Sequence, residues 1–157
     1  MTSQIQATHF TNALLTLLDE TFDNVHGHYL DKGTSLFETL ATISAAEASI
    51  PVGGKCATVA AQVKHVAFYL DLVEKSVRTQ QFEPVDWGKI WRETSGVTPE
   101  EWDSLKISLR ESYDRIKLLV HDTPEWTTDE LGGAIATLLH TAYHLGEIRQ
   151  ALCTLQQ

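Results

Sequence analysis

Thr137-Leu138-Leu139-His140-Thr141-Ala142-Tyr143-His144-Leu145-Gly146-Glu147-Ile148-Arg149 is the stretch on which the reading of this chain turns. It has the composition of a helix and carries two histidines four residues apart. At about 100° per residue, His140 and His144 fall within about 40° of each other, and Glu147 returns to within about 20° of His140. Side chains at that spacing are neighbours, so two imidazoles can grip one ion. Between Glu130 and Glu147 there is no Asp, Glu, Lys or Arg, and a helix uncharged all round is usually buried on most sides. Against this, the broadest apolar arc (Ala134, Ile135, Leu138, Leu145, Leu152) lies opposite the histidines. On spacing alone the pair reads equally well as metal ligands and as surface histidines.

Upstream, Val59, Val63, Val66, Leu70, Val73 and Val77 recur with a four-three rhythm that predicts a long helix over residues 58–78, packed on one face. His65 lies outside its charged arc, on a stripe with Gln62, Tyr69 and Leu72. Alone it reads as a hydrogen-bonded core residue; beside the downstream pair it becomes a third candidate ligand. Three neutral imidazoles leave an ion with open positions, the arrangement of catalytic rather than closed structural metal.

Two further long helices are expected. One covers residues 6–25, burying Phe10, Leu14, Leu18 and Phe22 and turning Asp19, Glu20 and Asp23 to solvent. The other covers residues 98–120, opened by Thr98-Pro99-Glu100-Glu101 with a capping Thr, Pro at the first position and Glu at the third. The final helix opens at Thr128-Asp129-Glu130. Short helical pieces are expected at Leu36-Phe37-Glu38-Thr39-Leu40, at Ser44-Ala45-Ala46-Glu47 and around Asp86–Trp91, inside connections that include Pro51-Val52-Gly53-Gly54 and residues 82–96. The expected fold class is all-α: a four-helix bundle with long connections containing short helices, one domain over residues 1–157.

Charge narrows the partners. With 21 acidic against 12 basic side chains the net charge is −9, and no basic stripe appears, which disfavours nucleic acid. Residues 1–6 show no signal-peptide pattern and no apolar run is long enough to span a bilayer. Cys56 and Cys153 lack any CxxC spacing and read as free thiols, which makes the cytoplasm the expected compartment. Cys56 lies nine residues before His65, about 13 Å along a helix and too far to share its ion. His9 reads as a partly exposed imidazole, and no role is assigned to His26 or His28.

The segments Ala57-Thr58-Val59-Ala60-Ala61-Gln62-Val63-Lys64-His65-Val66-Ala67-Phe68-Tyr69-Leu70 and His140-Thr141-Ala142-Tyr143-His144-Leu145-Gly146-Glu147-Ile148-Arg149-Gln150-Ala151-Leu152 resemble the DinB-like (DinB/YfiT) superfamily. The resemblance extends over nearly the whole chain, and the H-x-x-x-H-x-G-[QE]-I-R tail with an upstream His is its specific part. It implies a divalent metal (zinc, nickel or iron) on His65, His140 and His144. It also implies a homodimer, and a fold similar to enzymes that use low-molecular-weight thiols, namely bacillithiol S-transferases and mycothiol-dependent maleylpyruvate isomerases. Glu147 stands where glutamine is common in the family.

Two function classes follow. The first is a metal-dependent enzyme acting on a small-molecule substrate by thiol transfer, with Glu147 and Tyr143 orienting a ligand or moving a proton. The second is a non-catalytic, stress-related or interaction module whose ion is structural. Arg149, near the helix end, reads as a surface residue rather than a substrate anchor.

Overall fold

Every amphipathic stretch identified above becomes a helix. A computed structural model describes residues 5–54, 56–81 and 84–155. Residues 1–4, read above for targeting signals, and Phe82, where the second connector was expected to start, lie outside the described residues. The described residues contain helices and no strand: α1 (Ala7–Phe22), α2 (Leu36–Leu40), α3 (Ala45–Ala48), α4 (Val59–Thr79), α5 (Trp87–Glu93), α6 (Pro99–His121) and α7 (Thr128–Leu155), with a 3₁₀ turn at Val52–Gly54. None of the helices is long and apolar enough to cross a membrane.

Local chemistry accounts for the boundaries. Thr58 Oγ1 accepts from Ala61 N–H at 3.1 Å and opens α4. Thr98 and Glu101 satisfy each other's backbone N–H groups and open α6, with Pro99 at its first position. α7 is capped by Thr127 rather than Thr128: Thr127 N–H donates to Glu130 Oε2 at 3.0 Å, and Thr127 Oγ1 accepts from Glu130 N–H at 3.3 Å. α4 stops at Gln80, which takes the left-handed conformation (φ 54°) and donates its N–H to Ser76 O.

The four long helices α1, α4, α6 and α7 share one core. α4 packs most extensively on α6 and next on α7, while α1 packs on both α6 and α7. Phe22 stacks on Tyr113 with ring centroids 4.1 Å apart, and Leu18, Val63, Leu70, Leu109, Leu145 and Ile148 are buried around them. The first connection is packed rather than loose. Leu36, Leu40 and Ile43 are buried, and Trp102 donates its indole N–H to Ile43 O at 2.8 Å.

Two expectations need correction. Glu20, assigned above to the wet side of α1, is fully buried. Its carboxylate accepts the backbone N–H groups of His26, His28, Tyr29 and Leu30 at 2.8–3.2 Å. The chain leaving α1 folds back over it, and although burial pushes its pKa upward, these bonds prevail and hold it down at about 2. The uncharged helix α7 is likewise not buried on most sides. Ile135, Leu139 and Tyr143 form an exposed stripe, the last two more than 60% accessible, because α1 and α4 cover only the other faces.

Candidate metal centre

His65 comes from the second turn of α4, and His140 and His144 from successive turns of α7. Packing of α7 on α4 brings the three together. His65 Nε2 lies 3.0 Å from His140 Nε2. Ring centroids are 5.0 Å apart for His65 and His140, 4.8 Å for His65 and His144, and 4.6 Å for His140 and His144. One ligand nitrogen from each ring falls within 4.8 Å of the others. Two nitrogens on one tetrahedral zinc, each bonded at about 2.0–2.1 Å, stand about 3.3 Å apart, so the His65–His140 spacing of 3.0 Å, which also suits a hydrogen bond, is close to that of two nitrogens sharing an ion. Among the described residues, no carboxylate or thiolate joins the group.

The protonation states suit a cation. Burial pushes His65 down to about 4, helped by His144 and opposed by Glu147. Burial likewise pushes His140 to about 4, with His144 and His65 adding to it. His144 is lowered by burial while Glu147 works the other way. All three are therefore neutral near pH 7, the form that donates a lone pair.

His144 is the best positioned of the three. Its Nδ1 lies 2.7 Å from Gln62 Oε1 and 3.0 Å from Glu147 Oε2. Both oxygens are acceptors, so Nδ1 carries the proton and Nε2 keeps its lone pair for a metal. His65 Nδ1 and His140 Nδ1, by contrast, are buried without a hydrogen-bond partner. A cation between the Nε2 atoms would take the lone pair of each and fix the protons of His65 and His140 on Nδ1. The residues present fit a divalent ion.

Aromatic rings hold the imidazoles in place. Tyr69 stacks on His140 at 3.8 Å and Trp91 on His65 at 4.6 Å, while Trp87 meets His65 edge-on at 5.6 Å. Gln62 and Tyr69 were visible as neighbours on the His65 stripe. Trp87 and Trp91 were not connected with the site, and their only signal was an i,i+4 pair on a short helix. Tyr143 is exposed and meets His144 edge-on at 5.1 Å. The neighbouring Glu147 carboxylate raises the Tyr143 pKa.

The remaining candidates lie elsewhere. His9 is exposed, His26 Nε2 pairs with Asp19 Oδ2 at 2.6 Å, and His28 lies in the loop over Glu20. Cys56 and Cys153 are exposed and are not joined in a disulfide. Arg149 donates to Thr39 Oγ1 at 3.3 Å and so joins α7 to α2. Compared with protein-family models, with curated proteins and with solved structures, the chain finds no match in any of the three.

Proposed function

We propose that this chain is a DinB-like four-helix-bundle protein that binds one divalent transition metal (zinc, nickel or iron) on His65, His140 and His144 and catalyses thiol transfer to a small electrophilic substrate. The observation that carries the reading is the approach of two neutral imidazole nitrogens to 3.0 Å, beside a third imidazole whose proton is held on the far side by Gln62 and Glu147.

When bound, a divalent ion with open positions supplies the acidity that makes a thiol or water nucleophilic near neutral pH. The chain's own groups do the rest. Glu147 keeps the His144 proton on Nδ1, leaving Nε2 free to meet the ion. Trp87 and Trp91 cover the His65 ring and exclude water from that side. No protein thiol is required.

A structural ion is the competing reading, favoured by the fact that the three ligands come from two helices and would clamp α4 to α7. The two readings separate in one experiment. Metal-loaded protein is screened for transfer of small thiols to electrophiles, with a chelated control. Chelator-sensitive transfer that rises with pH supports catalysis; metal-dependent stability without transfer supports the clamp.

The proposed partner is a second copy of the chain, apposed along the Ile135, Leu139 and Tyr143 stripe of α7, since a charge-free exposed face invites self-association. The proposed compartment is the cytoplasm, supported by two cysteines that are not joined in a disulfide. A net charge of −9 supports a protein without nucleic-acid partners.

A further inference from the structure

Beyond Tyr69 the core between the long helices does not close. α4, α6 and α7, with Leu18 of α1 as floor, surround a chamber of about 360 Å3. Its walls are apolar, including Val73, Val77, Leu119 and Trp126, with the hydroxyls of Ser76 and Thr137 as inner polar points. Val73 and Val77 continue the rhythm of α4's buried face yet are only half-buried, because they face this space instead of packed side chains. The Tyr69 ring lines the chamber and stacks on His140, and so stands between the chamber and the histidines.

Gly133 of α7 lies on the chamber wall. Glycine inside a helix is destabilising, and such a residue usually has a packing or functional reason. Here packing is not the reason, since a Cβ built on Gly133 would meet nothing within 4 Å. The missing side chain leaves open space on a wall of the chamber. Asp129 and Glu130 also line it, the Glu130 carboxylate already held by Thr127, and none of the described lining residues is basic.

We infer that this chamber is a second small-molecule site, separate from the histidine cluster, and that it takes an apolar amine: a hydrophobic body seated against Val73, Val77 and Trp126, with a protonated head at Asp129. Its volume and its apolar walls with a few polar groups are those of ligand pockets. The acidic lining residues and the chain's charge of −9 select against an anionic amphiphile such as a fatty acid. The inference does not depend on the metal.

The test is a titration of the full chain with N-phenyl-1-naphthylamine, an uncharged probe that brightens in apolar surroundings, followed by displacement with decylamine or decanoate. Saturable binding is expected at one site per chain, with decylamine displacing the probe at a concentration about tenfold lower than decanoate. Gly133→Leu and Ala134→Phe should each weaken probe binding about tenfold by filling the space, with the helical signal retained. Gly133→Ala, which favours the helix, should weaken it less and covers the case in which the larger side chains disturb folding. Absence of saturable binding, or binding indifferent to Gly133→Ala and to the larger substitutions, would overturn the site. Decanoate displacing as well as decylamine would overturn the ligand class.

Discussion

Glu147 lies three residues beyond His144 on α7, and its Oε2 stands 3.0 Å from His144 Nδ1. The spacing places both on one face of the helix, so the carboxylate fixes the ring's tautomer and raises the basicity of the opposite nitrogen. Glu147→Ala should weaken metal binding about 10- to 100-fold. Gln62 Oε1, 2.7 Å from the same nitrogen, keeps the loss from being complete. Glu147→Gln retains an acceptor and should stay near wild type. Competition against a chromophoric chelator measures all three proteins; equal affinity for wild type and the Ala variant would remove Glu147 from the site.

Glu20 should behave as a structural acid. A Gln in its place offers one acceptor oxygen to four backbone N–H groups, and the loss should be about 2–4 kcal/mol of stability. The loop over it is exposed, which trims the electrostatic share. Its folded pKa of about 2 lies below the ordinary 4.5. Its contribution is therefore fully present above pH 4.5 and disappears as pH falls toward 2. Urea unfolding of wild type and Glu20→Gln should show a gap that is constant near neutrality and narrows in that acid window. A gap independent of pH would contradict the assignment.

The buried imidazoles set a second window in metal-free protein. His65 and His140 drop from 6.5 to about 4 on folding. The unfolded chain thus takes up protons that the folded chain refuses, and stability present above pH 6.5 is lost progressively down to about 4. A His65→Ala/His140→Ala double variant should lose less stability between those pH values than metal-free wild type. Parallel losses in unfolding midpoints would contradict it.

Much of this architecture was legible from residues close together in the chain. Thr98-Pro99-Glu100-Glu101 marks the start of α6 through local hydrogen bonds, and the valine rhythm of α4 marks its buried face. His140 and His144 share a helical face by spacing alone. The parts that escaped depend on distant partners. Glu20 sits among Asp19 and Asp23 and looks like one more surface acid until residues 26–30 fold over it. Trp87 and Trp91 look like ordinary apolar positions of a short helix until α5 packs on α4 and brings both rings against His65. The open face of α7 and the chamber beside Val77 likewise follow from which neighbours are missing, and no local pattern records that.

The exposed stripe of α7 should control association. Leu139→Glu places a charge at the centre of the proposed contact between copies, where it would be desolvated without a partner. The variant should sediment as a monomer while wild type sediments as a dimer, with helical content unchanged. Wild type found as a monomer at all accessible concentrations, or a dimer indifferent to the substitution, would place the contact elsewhere or remove it.

Elemental analysis of the protein purified without chelator tests the central claim most directly, comparing wild type with the His65→Ala/His140→Ala/His144→Ala variant. The account predicts close to one divalent transition metal per wild-type chain and almost none in the triple variant, with the helical spectrum of the variant retained. Equal metal content in the two proteins, or a wild type that takes up no divalent ion when it is offered, would contradict it.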